Sequence, residues 1–160
     1  MAEETDRSHL AIAAAEALGL SHTVTRHGPV RSLEEAAAAR GVAPAAVVKT
    51  IVVRLAEDDY RFVLVPGDRE IAWPKLRARL GVSRLSMPDA ETAREVTGYV
   101  RGTITPLGST TAWPVIADER VQDTVSVGGG AHGVALSVDA AELVTALDAT
   151  VADVTEPSAD

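Results

Sequence analysis

Lys49 sits where a lysine is least expected, within Val47-Val48-Lys49-Thr50-Ile51-Val52-Val53-Arg54-Leu55. The run is rich in β-branched residues and bounded by Pro44 and by Asp58-Asp59, so it predicts a strand. On a period of two, Val47, Lys49, Ile51, Val53 and Leu55 share one face, aliphatic except for the ammonium. Such a group reaches solvent, finds a partner, or waits in a cleft for an anionic or carbonyl ligand. Of the 15 basic residues only Lys49 and Lys75 are lysines, the rest being arginine. A chain that otherwise selects the guanidinium has kept the compact, pKa-shiftable cation here. A solvated lysine at a strand end is the competing reading.

Two glycine-containing stretches are the other candidates for chemistry. Thr97-Gly98-Tyr99-Val100-Arg101-Gly102-Thr103-Ile104-Thr105-Pro106-Leu107-Gly108 is turn-rich. Gly128-Gly129-Gly130-Ala131-His132-Gly133 formally fits G-x-G-x-x-G, but the following Val134-Ala135-Leu136-Ser137-Val138 reads as strand. A dinucleotide fingerprint needs a helix there to hold the pyrophosphate, so that reading is rejected. These glycines serve equally as turn formers or as points of close backbone approach.

No Walker sequence and no G-x-S-x-G elbow is present. His9, His22, His27 and His132 lack metal-ligand spacing, and without cysteine there is neither a thiolate metal site nor a thiol nucleophile. The cluster Lys75, Arg77, Arg79 and Arg84 reads as a solvated helix face, or alternatively as a contact for a nucleic-acid backbone. The net charge of −8 argues against broad DNA or RNA binding, which needs basic surface. Met1-Ala2-Glu3-Glu4 lacks the features of a signal peptide, and no apolar run approaches the roughly 18 residues of a membrane span. The expectation is a cytoplasmic protein with no membrane association.

The supporting elements follow from local signals. Helices are expected over Ser8 to Leu18 with Ser8 as cap, after the Ser32-Leu33-Glu34-Glu35 capping box, and from Trp73 to Leu80. Two more are expected from Asp89 to Val96 and from Asp139 to Leu147. Strands are expected at His22 to His27, at the Lys49 run and its hairpin partner Tyr60 to Val65, and at Pro114 to Ala117. Thr124 to Val127, Val134 to Val138 and Val151 to Val154 complete the set. At 160 residues, 46% hydrophobic and 3% aromatic, this is one domain, residues 1–160, with an aliphatic core and loose tails at 1–7 and 156–160. The fold class is α+β, with a curved, mixed and mostly antiparallel sheet, barrel-like and flanked by short helices.

Three segments together resemble a known family. Val48-Lys49-Thr50-Ile51-Val52-Val53 is similar to the lysine-bearing strand of the YbaK/EbsC-type aminoacyl-tRNA deacylases, relatives of the editing domain of prolyl-tRNA synthetases. Gly98 to Gly108 looks like their G-Y-x-x-G-x-x-x-P-x-G signature, and Val125 to Gly133 like their strand-glycine-strand element. The likeness runs from about Arg26 onward and implies an enzyme that cleaves the ester of mischarged aminoacyl-tRNA without a cofactor or metal. It implies Lys49 as the catalytic residue, tied to the ester. It also implies Gly102, Thr103, Ile104, Thr105, Pro106, Gly128, Gly129, Gly130 and His132 as substrate-binding.

The implied partner is the aminoacyl-tRNA acceptor end, with a synthetase as a possible tether. Asp118 matches an acidic family position and is expected as an exposed strand-end carboxylate. Relatives acting on cysteinyl-tRNA(Pro) carry a Lys-Arg pair where this chain has Ala131-His132, and their early strand carries aromatics that His22 to His27 lacks. These departures bear on substrate identity, for which the resemblance implies Cys- or Ala-tRNA(Pro)-like substrates. A non-catalytic tRNA- or synthetase-binding regulator with the same fold is the alternative.

Overall fold

The computed structural model describes residues 6–158. The order is α1 (Ser8–Ala17), β1 (His22–Arg26), α2 (Leu33–Arg40), a 3₁₀ turn (Pro44–Ala46), β2 (Val48–Ala56) and β3 (Asp59–Pro66). There follow β4 (Arg69–Ile71), α3 (Trp73–Leu80), α4 (Ala90–Thr97), β5 (Val115–Asp118), β6 (Thr124–Gly128) and β7 (Val134–Asp139). The described chain ends with α5 (Ala140–Ala146), β8 (Thr150–Ala152) and β9 (Thr155–Pro157).

Local chemistry sets most boundaries. Ser32, Asp89 and Asp139 each accept the N–H three residues on, at 3.0, 2.8 and 3.0 Å, so α2, α4 and α5 start where their caps stand. In α1 the cap is not Ser8. Ser8 is the first helical residue and buried, and the Asp6 carboxylate accepts both its N–H and its hydroxyl, at 3.1 and 2.7 Å. A carboxylate satisfies two donors at the helix start where the serine hydroxyl satisfies one.

The mixed, mostly antiparallel α+β class holds, but the strands do not curl into one barrel-like sheet. They form three sheets, ordered β1-β7-β6, β2-β3-β5-β8 and β4-β9. Among the described strand pairs, β3-β5 and β5-β8 are parallel and the others antiparallel. A parallel bridge between Val47 and Ser126 joins the first two sheets. The four-stranded sheet is covered on both faces, which is why β3 is apolar on both. Val48, Val52, Phe62, Leu64, Val115 and Ala117 pack against α1 and the three-stranded sheet. Val53, Val63, Val65 and Ile116 pack with Ile71, Leu76 and Val154 on the other side.

The tails are more ordered than the sequence implies. The Arg7 N–H donates to the Gly130 carbonyl at 3.0 Å. Glu156 and Pro157 belong to β9, which pairs antiparallel with β4 in the register Arg69↔Pro157 to Ile71↔Thr155. The loose-tail expectation at residues 1–5 and 159–160 lies outside the described residues.

Candidate active site

β2 is an edge strand, and its free edge builds one wall of the site. Arg54 exchanges both main-chain bonds with Ser86, at 2.8 and 3.2 Å, on the side away from β3. The register with β3 is regular from Val48 to Arg54. In an antiparallel ladder the bonding direction alternates, so Thr50 and Val52 also turn their main-chain groups outward. That edge borders a cavity of about 560 Å³, whose lining includes Lys49, Thr50, Val52, Gly102, Ile104 and Gly128. Met87, 54% exposed, stands in its rim.

Lys49 occupies the expected face of β2, shared with the half-buried Ile51 and the buried Val53. The residue is exposed, yet its ammonium is tied down: Nζ donates to the Arg69 carbonyl at 2.6 Å. One of three ammonium protons is thereby fixed, and two are left to donate. Burial draws its pKa below the usual lysine range, against the opposing pull of Glu70 and Asp68. β4 in turn is held through Arg69, whose Nε donates to Thr155 Oγ1 at 2.7 Å.

The folded lysine releases its proton at a lower pH than the unfolded one. Its charged form therefore costs stability until pH rises through the folded pKa, and stability increases with pH in that alkaline window. We expect an NMR titration of the Lys49 ammonium to show a midpoint below the ordinary value of about 10.4. A midpoint at or above it contradicts the burial.

The opposite wall is the stretch between α4 and β5. Tyr99 is buried and donates from its hydroxyl to the Leu107 carbonyl at 2.6 Å, pinning both ends of the loop together. Burial pushes its phenol up to about 12, so it remains a donor at neutral pH. Thr103 and Thr105 point inward: Thr103 Oγ1 donates to Val100 O at 2.7 Å, and Thr105 Oγ1 accepts the Leu107 N–H at 3.3 Å. They stiffen the wall instead of lining it. Pro106 is not among the lining residues either, which leaves Arg101, Gly102 and Ile104 as the loop's contribution.

Gly102 adopts φ +90°, and a β-carbon there would stand 3.1 Å from His132 Cε1. A β-carbon on Gly128 would stand 3.1 Å from the Ile104 carbonyl. Gly102, Ile104, Gly128 and His132 are thus brought together by two backbones in close approach. Gly129 and Gly130 are buried behind them, against Val134 and Tyr99.

Two other sequence expectations change. Asp118 is fully buried, not exposed: Oδ1 accepts the Val154 N–H and Oδ2 the Arg120 N–H, both at 3.1 Å. In the basic cluster, Lys75 is engaged by Asp153 at 3.1 Å and by the Thr155 carbonyl at 3.2 Å. The cavity also draws in Arg40, Met87, Pro88 and Ala93, which sequence reasoning did not select. Arg40 carried only the signal of a basic residue before a helix-stopping glycine.

Among the described residues no group of three or more His, Cys, Asp or Glu is placed to hold a metal ion, and no helix is long and apolar enough to cross a membrane. The arrangement instead presents an ammonium, main-chain donors and acceptors, and a rigid glycine wall around one hollow. That is equipment for binding a carbonyl and stabilising charge that develops on it.

Comparison with known proteins points the same way. Residues 27–146 match the aminoacyl-tRNA editing domain family. The proline–tRNA ligase of Heliobacterium modesticaldum is 37% identical over 102 residues, 64% of this chain. The match spans only 17% of that ligase. A crystal structure of a proposed trans-editing enzyme for prolyl tRNA synthetase superposes with a TM-score of 0.84 at 27% identity, covering 93% of this chain and 96% of its own. A hypothetical protein, APE2540, superposes at 0.81 with 29% identity, covering 91% of this chain and 98% of its own. With three-quarters of its length in the match, and a lysine strand facing a glycine wall, this chain belongs to the aminoacyl-tRNA editing domain family.

Proposed function

We propose that the protein is a trans-editing deacylase that hydrolyses the ester of mischarged aminoacyl-tRNA, with Cys- or Ala-tRNA(Pro)-like substrates. The observation that carries this reading is the Lys49 ammonium, anchored by Arg69 O beside a cavity whose far wall is Gly102, Ile104 and Gly128. A water oxygen attacks the ester carbonyl carbon, and negative charge develops on the carbonyl oxygen. The bond to the ribose oxygen then breaks, releasing free amino acid and a tRNA with a free hydroxyl. Lys49 positions and polarises the ester, and the outward main-chain groups of Thr50 and Val52 are further partners for the aminoacyl group. Gly128 gives the substrate close access to backbone, and His132 lines the adjoining hollow. The aliphatic lining selects small side chains at only about 1–3 kcal/mol per methylene, so discrimination among them is modest. The site of action is the cytoplasm, on the acceptor end of the tRNA. A synthetase is a natural tether for an acidic protein with little basic surface to hold tRNA.

The test is a panel of tRNAs charged with alanine, cysteine, serine and proline. Hydrolysis of one or more of the small mischarged species well above the uncatalysed rate is expected. No turnover on any member overturns the proposal. The buried Ala131 and exposed His132, in place of a Lys-Arg pair, favour one second reading, a non-catalytic tRNA- or synthetase-binding regulator. That reading predicts binding without ester cleavage in the same panel.

A further inference from the structure

Beside the Lys49 cavity lies a second hollow of about 520 Å³, lined by His27, Gly28, Arg40, Gly128 and His132 among others. Arg40, Gly102 and Gly128 border both spaces, so the two share a wall. Arg40 closes α2, where a cation complements the helix dipole. That explains its charge but not its surroundings. Its Nε is buried and finds no hydrogen-bond partner among the described residues. Desolvation alone acts on the guanidinium, drawing its pKa below the usual arginine range with no carboxylate opposing it. Among the described residues no carboxylate is placed to pair with it. A half-buried guanidinium with open donors is costly unless a ligand supplies the acceptors.

His27 faces the same hollow. Its Nδ1 lies 2.8 Å from the Gly28 carbonyl, which must accept, so Nδ1 carries the proton. In the neutral ring Nε2 is then an acceptor, buried and unpartnered among the described residues. A charged tRNA presents matching chemistry. The ribose that bears the ester also bears the last phosphodiester at its 5′ oxygen, with one free hydroxyl vicinal to the ester.

We propose that the second hollow is the subsite for the phosphate of the terminal nucleotide, which Arg40 binds, with a ribose hydroxyl donating to His27, while the aminoacyl ester occupies the Lys49 cavity. The assignment rests on the deacylase reading for its ligand, but the anion site can be tested separately. A planar, permanently charged fork suits phosphate oxygens.

The probes are adenosine 5′-monophosphate and adenosine, titrated into wild-type protein, Arg40→Gln and Arg40→Lys, with thermal unfolding confirming that each variant folds. In wild type the monophosphate should bind about tenfold more tightly than adenosine, the size of one charge-assisted contact. Arg40→Gln should bring the two to parity, and Arg40→Lys should keep part of the preference. In deacylation, Arg40→Gln should raise KM with kcat within about twofold, as loss of uniform binding does. Equal binding of the two probes by wild type, or an undiminished phosphate preference in Arg40→Gln, overturns the subsite even when deacylation is normal. An Arg40-dependent phosphate preference in a protein that cleaves no ester upholds the subsite and removes the hydrolytic reading.

Discussion

Replacing Lys49 by alanine should lower deacylation by at least about a hundredfold, the usual cost of removing one preorganised donor from a developing oxyanion. Lys49→Arg should lose most of the activity too. Arg69 O holds the ammonium by a single short bond, and a planar fork on a longer stem cannot occupy that point while keeping two donors on the ester. Folding should be little affected, because Lys49 is exposed and its apolar neighbours Ile51 and Val53 stay in place. Single-turnover hydrolysis of a mischarged tRNA, with unfolding curves for both variants, measures this. A Lys49→Ala protein hydrolysing at the wild-type rate would falsify the catalytic role.

The second large effect is on stability. Asp118→Ala should cost about 3 kcal/mol, since it strips the acceptor from main-chain donors held in the interior, at about 1–3 kcal/mol for each one left unsatisfied. The carboxylate is fully buried and accepts from the Val154 and Arg120 N–H groups while pairing with the Arg120 guanidinium at 3.2 Å. Its loss leaves a buried N–H without an acceptor. For a domain of this size that is a fall in melting temperature of roughly 10 °C. Asp118→Asn, which keeps one carbonyl acceptor, should lose about half as much. The same network continues from Arg120 to Asp153 at 2.9 Å and on to Lys75, on the side where β9 supports β4. Denaturant midpoints for the two variants check the ordering; a shift of less than about 0.5 kcal/mol for alanine contradicts the structural role assigned to the buried carboxylate.

What the sequence revealed followed from how local each signal was. Ser32, Asp89 and Asp139 cap the helices they precede, because the bond each makes spans three residues. Lys49 stood out because period two places alternate residues, aliphatic apart from the lysine, on its face. β4 and β9 were invisible: three residues carry no periodicity, and Arg69 meets Thr155 across 86 positions. Thr103 and Thr105 were expected at the substrate through the family resemblance, and an irregular loop has no repeat from which their inward facing could be read. Asp118 reads as a strand-end acid until tertiary closure brings Val154 over it. Arg40 looked like an ordinary helix terminus, since a missing counter-ion is a property of three dimensions.

The carbonyl that grips Lys49 belongs to β4, and β4 is paired with residues 155–157. On the ribosome, therefore, a nascent chain already displaying the lysine strand and both glycine segments still lacks the support that aims its ammonium. The aim of that ammonium is thus set by the last strand of the described chain, and loss of the β4–β9 pairing should leave Lys49 Nζ without its anchor.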